Sequence, residues 1–293
     1  MNSWPPRPNL SSEFYKAHGL GNDYIVFEEG VGWLADPSNI RLICDRHRGV
    51  GSDGIVVLLG GRGGGPKRLR MFNPDGSEFE RSGNGLRIVA SYLSRGDPTK
   101  DSIEVSVGGD VVRMHIHGRE GAVHDVSVDM GRAETGVAAV ALDPTVISDD
   151  GSLEGPRGEA LVVVPVSVGN PHMVVIADGD IVEFSDACLG ELGPFVATHS
   201  ALLHGANMQL AQPLAEGRCR ALIWERGVGR TSASGTSACA VAVALVSSGR
   251  MGPGLVTVEM PGGELAVEVT PDLDVTLRGP VEEICEGRLS SAF

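Results

Sequence analysis

The sequence predicts an α+β fold of two pseudo-symmetric, β-rich halves, each wrapped around one central helix. A repeat carries most of that prediction. Ser82-Gly83-Asn84-Gly85 runs on to Val89-Ala90, and Ser234-Gly235-Thr236-Ser237 runs on to Val241-Ala242, an offset of 152 residues (82 to 234). Gly21-Asn22-Asp23-Tyr24 returns as Gly169-Asn170-Pro171-His172 (22 to 170), and Gly108-Gly109 returns as Gly262-Gly263 (108 to 262). Three landmarks in one order at nearly one offset mark a duplicated unit about half the chain long, far beyond a solenoid period. Valine-rich period-two segments supply the β content, and two helices opening at Ser-Gly supply the centres.

In chain order, residues 38–48 read as a first helix. Residues 103–107, 112–116 and 126–130 alternate apolar and polar, as half-buried strands do. Residues 161–168 and 173–176 are more continuously apolar, and 256–260 and 265–269 alternate again. Gly-Gly pairs punctuate these runs as hairpin turns. The helices of the repeat span 83–94 and 236–248, each ending near a stop glycine, Gly96 or Gly249. Residues 238–246 are small and apolar throughout, so that helix should be buried on all sides. The run from Gly60 to Pro66 lacks the Gly-Lys-Ser/Thr ending of a phosphate loop and reads as a hairpin connection. The halves are expected at 1–132, with 279–293 returning to the first, and at 133–278. The active site is expected in the cleft between them.

Composition narrows the function classes. Net charge −14 and pI near 5.0 argue against a nucleic-acid partner. No apolar window reaches the length of a membrane span, and the three prolines among residues 1–9 give no signal peptide, so a cytoplasmic protein is expected. Five scattered cysteines, Cys44, Cys188, Cys219, Cys239 and Cys285, form neither a disulfide framework nor a zinc motif, and read as buried free thiols. His115 and His117 lie two apart on one strand face with no third ligand nearby, so no metal site is expected.

The repeated Ser-Gly carries the chemistry. A helix N-terminus presents free N–H groups and partial positive charge, a ready site for a carboxylate. Two such termini, each with a proton-exchanging group at the cap, suit inversion of a centre α to a carboxylate. That reaction needs a base on one face and an acid on the other. A serine there is, by default, a simple N-cap. Glu225-Arg226 is by the same reasoning open to being a surface ion pair, and Asp75 is a turn former.

With these residues on the page the chain resembles the diaminopimelate epimerase family along nearly its whole length. The blocks are Phe14 through Tyr24, Asp45-Arg46 with Gly49 through Gly54, Phe72 through Glu78 leading to Ser82 through Arg87, Gly169 through His172, Asn207, and Trp224 through Gly229. The resemblance implies a cofactor-independent epimerase that interconverts LL- and meso-diaminopimelate in lysine and cell-wall biosynthesis. It also implies a homodimer. Both catalytic positions are cysteine in the family; here they are Ser82 and Ser234. Asn22, Asn73, Asn170 and Asn207 would contact the substrate's amino and carboxylate groups, and Glu225 and Arg226 its amino group and distal end. The N–H groups of Gly83, Asn84, Gly235 and Thr236 would cradle the reacting carboxylate. His172 would sit near the second catalytic position and tune it, and His172 or Glu225 could activate a serine. Arg230 stands where the family usually has glutamate, and Gly54 where some members have glutamine. Two other readings stay open. One is a related isomerase, racemase or dehydratase using a serine acid. The other is a catalytically silent binding homologue, its serines native or introduced.

Overall fold

In a computed structural model of the chain, residues 7–60, 63, 65–79, 81–97, 99–148, 151–177, 179–215 and 217–290 are described. The chain divides into two compact units, Met1–Val128 with Pro280–Phe293, and Asp129–Gly279.

The first unit is built from β1 (Asn9–Gly19), β2 (Asn22–Glu29), β3 (Trp33–Leu34), α1 (Pro37–Cys44), β4 (Gly54–Leu59), β5 (Lys67–Phe72), β6 (Glu78–Phe79), α2 (Gly83–Ser94), β7 (Ser102–Val107), β8 (Asp110–Glu120) and the start of β9 (Val123–Arg132). The second continues through β10 (Glu134–Thr135), β11 (Ser152–Glu154), β12 (Ala160–Ser167), β13 (Pro171–Ile176), α3 (Asp186–Ala197), β14 (Asn207–Pro213), β15 (Arg218–Glu225), β16 (Gly229–Thr231), α4 (Gly235–Ser247), β17 (Gly254–Met260), β18 (Gly263–Val269) and β19 (Asp274–Arg288). β9 and β19 each change unit along their length.

The pairing pattern repeats strand for strand. β1–β2 is antiparallel, β2–β4 parallel, β4–β5 antiparallel, β5–β7 parallel and β7–β8 antiparallel. The second unit gives the same series with β12–β13, β13–β14, β14–β15, β15–β17 and β17–β18. In the first unit the sheet closes on itself through β8–β9, β9–β19 and β19–β1, forming a closed barrel. β12 is joined by β10, and β18 by β19, around the second unit.

Each unit packs its strands around its own helix. α2 lies against β1, β2, β7 and β8, and α4 against β12 to β15, β17 and β18. Every residue of 235–246 is buried, which the small and apolar sequence of α4 requires. A second helix covers the outside. Ile40 and Ile43 of α1 pack with Ile25, Phe27, Ile55 and Val57, and Leu189, Leu192 and Val196 of α3 pack with Met208, Leu210 and Leu222. Strands caught between an inner and an outer helix are buried on both faces. All six residues of β4 are buried, and the sequence there is continuously apolar for that reason. β7 and β8 lack an outer cover and alternate.

Some expectations change. The first helix spans Pro37–Cys44 rather than 38–48, because Asp45 ends it. Its carboxylate accepts from the N–H groups of His47 and Arg48, folding that stretch into a turn. α3 was not foreseen; Pro194 and two glycines interrupt its helical signal, and Ser185 caps it through the Cys188 N–H. Gly108 and Gly109 make the predicted two-residue turn, both at positive φ (62° and 106°). The strands flanking the Gly60–Pro66 run pair antiparallel with Leu59 opposite Arg68, as a hairpin requires; Gly61, Arg62 and Gly64 lie outside the described residues. All five cysteines are free, but only Cys44, Cys219 and Cys239 are buried; Cys188 is half-buried and Cys285 exposed.

Leu245 on α4 is wholly buried. Leu245→Ala should lower the unfolding free energy by about 2–5 kcal/mol through lost transfer energy and a residual cavity. Urea denaturation of the full chain checks it, and a loss below 1 kcal/mol would contradict a tightly packed helix.

Candidate active site

Strand direction gathers the polar residues at one rim of each unit's sheet. In the first unit the parallel pair β2–β4 starts side by side, with Tyr24 opposite Gly54, and β5 arrives antiparallel with Phe72 opposite Ile55. Asn22, Asp53 and Asn73 therefore stand at adjacent strand ends. α2 opens at the same rim, because Asn84 Nδ2 donates to Asn22 Oδ1 at 2.9 Å. In the second unit His172 lies opposite Asn207 and Met208 opposite Trp224, so Asn170, Asn207, Glu225 and Arg226 share a rim. α4 opens there too, Gln209 Nε2 donating to Ser237 Oγ at 3.0 Å.

The two serines are N-caps with different bonding. Ser82 has extended backbone, and its Oγ accepts from the Gly85 N–H at 3.1 Å. Ser234 is also extended and nearly buried, but its side chain makes no capping hydrogen bond. In each helix the main-chain ladder begins at the cap carbonyl, Leu86 N–H to Ser82 O (2.9 Å) and Ala238 N–H to Ser234 O (3.0 Å). The earlier N–H groups, those of Gly83, Asn84, Gly235 and Thr236, precede the ladder and have no intrahelical acceptor.

A charged network underlies the first rim. Asp23, nearly buried, receives Lys16 Nζ at 2.9 Å and Arg46 Nη2 at 2.7 Å. Arg46 also reaches Asp53 Oδ1 at 2.7 Å, and Asp53 Oδ2 accepts from Asn22 Nδ2 and the Asp23 N–H, both at 3.1 Å. Burial works to raise the Asp23 pKa, but the Arg46 and Lys16 hydrogen bonds overbalance it and hold the carboxyl below its ordinary value. For Asp53, burial and then the neighbouring Asp23 carboxylate push the other way. Asn84 Oδ1 accepts from Arg87 Nη2. Arg87, wholly buried, donates through Nη1 to Pro280 O at 2.9 Å.

The second rim uses neutral groups. His172 is fully buried, and burial pushes its imidazole down to about 3 against a smaller upward pull from Gln209. Gln209 Nε2 lies 3.0 Å from His172 Nδ1, and His172 Nε2 lies 2.9 Å from Asn170 Oδ1. An amide nitrogen only donates, so Nδ1 accepts and Nε2 carries the ring proton. Both ring nitrogens are thereby engaged away from Ser234. Asn207 Oδ1 accepts from the Arg226 N–H at 2.9 Å, and the Arg226 guanidinium donates to the carbonyls of His204 and Gly205.

Asn73 and Arg230 are held by their own neighbours. Asn73 Nδ2 donates to Ser77 Oγ at 2.9 Å, while Asp75 accepts from the Ser77 N–H and hydroxyl, which makes the 73–77 segment a side-chain-closed turn. Arg230 pairs with Asp186 Oδ1 at 2.5 Å, at the start of α3. No side chain fits at Gly54, where a Cβ would lie 2.6 Å from the Tyr24 ring and 2.9 Å from Phe72 O. His115 and His117 are exposed on β8. Cys239 is buried in α4, and burial pushes the Cys44 and Cys219 thiols up to about 12.

Sequence reasoning missed Asp53, Arg87, Gln209 and Ser237 as parts of the site. A signal existed for two of them. Arg87 is the one charged residue in α2, and Gln209 is a glutamine within a buried strand.

Comparison with known proteins fits this geometry. A probable proline racemase from Agrobacterium radiobacter K84, solved with bound carbonate, superposes with a TM-score of 0.69 at 17% identity, over 95% of this chain and 92% of that one. The chain thus shares the fold of that structure, a class of two β-rich units each centred on a helix in this chain. The diaminopimelate epimerase sequence model matches residues 14–136 and 164–283. A diaminopimelate epimerase of Desulforudis audaxviator is 39% identical, covering 94% of this chain and 98% of the relative, and one of Pelotomaculum thermopropionicum is 38% identical, covering 94% and 97%. The chain belongs to the diaminopimelate epimerase family and is an epimerase-type isomerase.

The buried His172 fixes a sign for pH dependence. Its folded pKa lies below the ordinary 6.5, so the unfolded chain binds a proton that the folded chain refuses. That contribution to stability is full above about pH 6.5 and is lost as pH falls toward 3, at up to about 1.4 kcal/mol per unit. Between pH 7 and 4.5 a His172→Gln variant should lose less stability than the parent in urea denaturation. Equal slopes would mean that His172 charges without cost.

Proposed function

We propose that the protein inverts the α-carbon of LL-diaminopimelate to the meso isomer by two-sided proton transfer, with Ser82 and Ser234 in the acid and base positions. The observation that carries the reading is the recurrence of a polar cap on a buried helix at each rim, beside two repeat-related asparagines. The carboxylate of the substrate would sit on the N–H groups of Gly83, Asn84, Gly235 and Thr236, where the helix dipole favours negative charge. That charge also stabilises the electron density that builds beside the α-carbon when its proton leaves. Asn22, Asn73, Asn170 and Asn207 supply donors and acceptors to a zwitterion without adding a competing titrating group. Glu225 would hold the ammonium and Arg226 the distal end.

A serine hydroxyl is a weak base, and the helix terminus is what favours its anion here. His172 acts by orientation in this reading, since both its nitrogens are engaged. The proton is exchanged by side chains alone, with no pyridoxal phosphate. The family resemblance and the acidic, span-free sequence support a cytoplasmic homodimer acting in lysine biosynthesis.

The test is α-proton exchange in deuterated water with LL- and meso-diaminopimelate, followed by NMR. Isomerisation with deuterium incorporation is expected. Ser82→Ala and Ser234→Ala should each slow it by about 10²–10⁴-fold, the range for a positioned acid or base. Joint Ser82→Cys and Ser234→Cys replacement should raise the rate by orders of magnitude, because a thiolate is far more accessible than an alkoxide. Binding of either isomer with neither exchange nor inversion would leave a silent binding homologue instead.

A further inference from the structure

We propose that Asp53 and Arg87 in the first unit, and Gln209 in the second, are positioning residues that lock the amide orientations of the repeat-related Asn22 and Asn170. The proposal rests on reading those asparagines as substrate contacts. An asparagine side chain rotated by half a turn keeps its shape but exchanges its donor and acceptor. A site that sorts an ammonium from a carboxylate must remove that ambiguity.

In the first unit the two ends of a hydrogen-bond chain remove it. Arg87 can only donate, and its Nη2 donates to Asn84 Oδ1. The Asn84 amide nitrogen therefore faces the other way, toward Asn22 Oδ1 (2.9 Å) and Gly19 O (3.4 Å). Asp53, as the carboxylate that Arg46 pairs with at 2.7 Å, can only accept, and it takes Asn22 Nδ2 at 3.1 Å. Reversing either asparagine would set donor against donor at Arg87 or acceptor against acceptor at Asp53. The backbone makes room for the chain: a Cβ at Gly19 would lie 2.8 Å from Arg87 Nη2 and 3.3 Å from Asn84 Oδ1.

The second unit reaches the same result without charge. Gln209 Nε2 donates one hydrogen to His172 Nδ1 and one to Ser237 Oγ, both at 3.0 Å. The neutral ring then donates from Nε2 to Asn170 Oδ1 at 2.9 Å. Each chain is tied to the first turn of a central helix, through Asn84 in α2 and Ser237 in α4. Each asparagine is thus referenced to the helix that bears Ser82 or Ser234. By inventory, one N–H and one lone pair remain on the Asn22 amide, and two N–H groups and one lone pair on Asn170.

Two measurements on the full chain test this. Nitrogen-15 NMR of histidine-labelled protein should show His172 with its proton on Nε2. Gln209→Glu places an acceptor opposite Nδ1 and should move the proton there. A parent protein protonated on Nδ1, or a tautomer unmoved by Gln209→Glu, overturns the second relay. The kinetic arm reads KM against kcat in Asp53→Asn. Asp53→Asn should raise KM about tenfold with kcat within about twofold of the parent. No change in KM, or an equal loss in kcat, would assign Asp53 a merely structural role. Gln209→Leu should likewise raise KM about tenfold with a Tm close to the parent's. A parent that turns over neither diaminopimelate isomer sinks the substrate reading, and the tautomer alone then decides the relay.

Discussion

Everything at the two rims depends on a helix held inside a β-rich sheet. A helix buried on all sides cannot tilt or slide without opening cavities, so its first turn is fixed relative to the surrounding strand ends. α4 meets that demand with a body of small and apolar residues from Ala238 to Val246, whereas α2 admits one arginine and pairs it with Asn84 and Pro280. The free N–H groups of each first turn are in consequence rigid donors, and rigid donors are what stabilise developing charge without a reorganisation cost.

The second constraint is polarity within the rims. The first rim fixes its hydrogen bonds with formal charge, Lys16, Arg46, Asp23 and Asp53. The second uses a neutral imidazole and a glutamine buried beneath the strand ends. Duplication preserved topology strand for strand while the chemistry supporting the equivalent asparagines diverged. Such divergence is expected where a backbone scaffold is over-determined by packing and the polar groups need only be satisfied. Charged support tolerates partial exposure, as at Arg46 and Asp53; neutral support suits full burial, as at His172 and Gln209.

Much of this was legible in the sequence because it was written by period and punctuation. Ser82-Gly83 and Ser234-Gly235 marked both helix starts within a residue, and the alternation in β7, β8, β17 and β18 reports strands with one open face. α3 escaped because glycine and proline break its pattern while its stability comes from packing on β14 and β15. The tail of the first helix was over-extended because Asp45 looks like a helical residue until its carboxylate captures the N–H groups of His47 and Arg48. Hydrogen-bond partners far apart in sequence were beyond reach. Nothing in the chain announces that Arg87 meets Pro280, nearly two hundred residues on, or that Gln209 rather than a carboxylate stands behind His172.

β19 leaves the second unit at Gly279 and ends its course beside β1, pairing from Glu282 to Arg288. The half of the protein that a ribosome makes first is therefore the half completed last. Until the final strand emerges, β1 and β9 expose unpaired edges, and Arg87 lacks the carbonyl that receives it. In this chain the duplication is structural closure as well as symmetry.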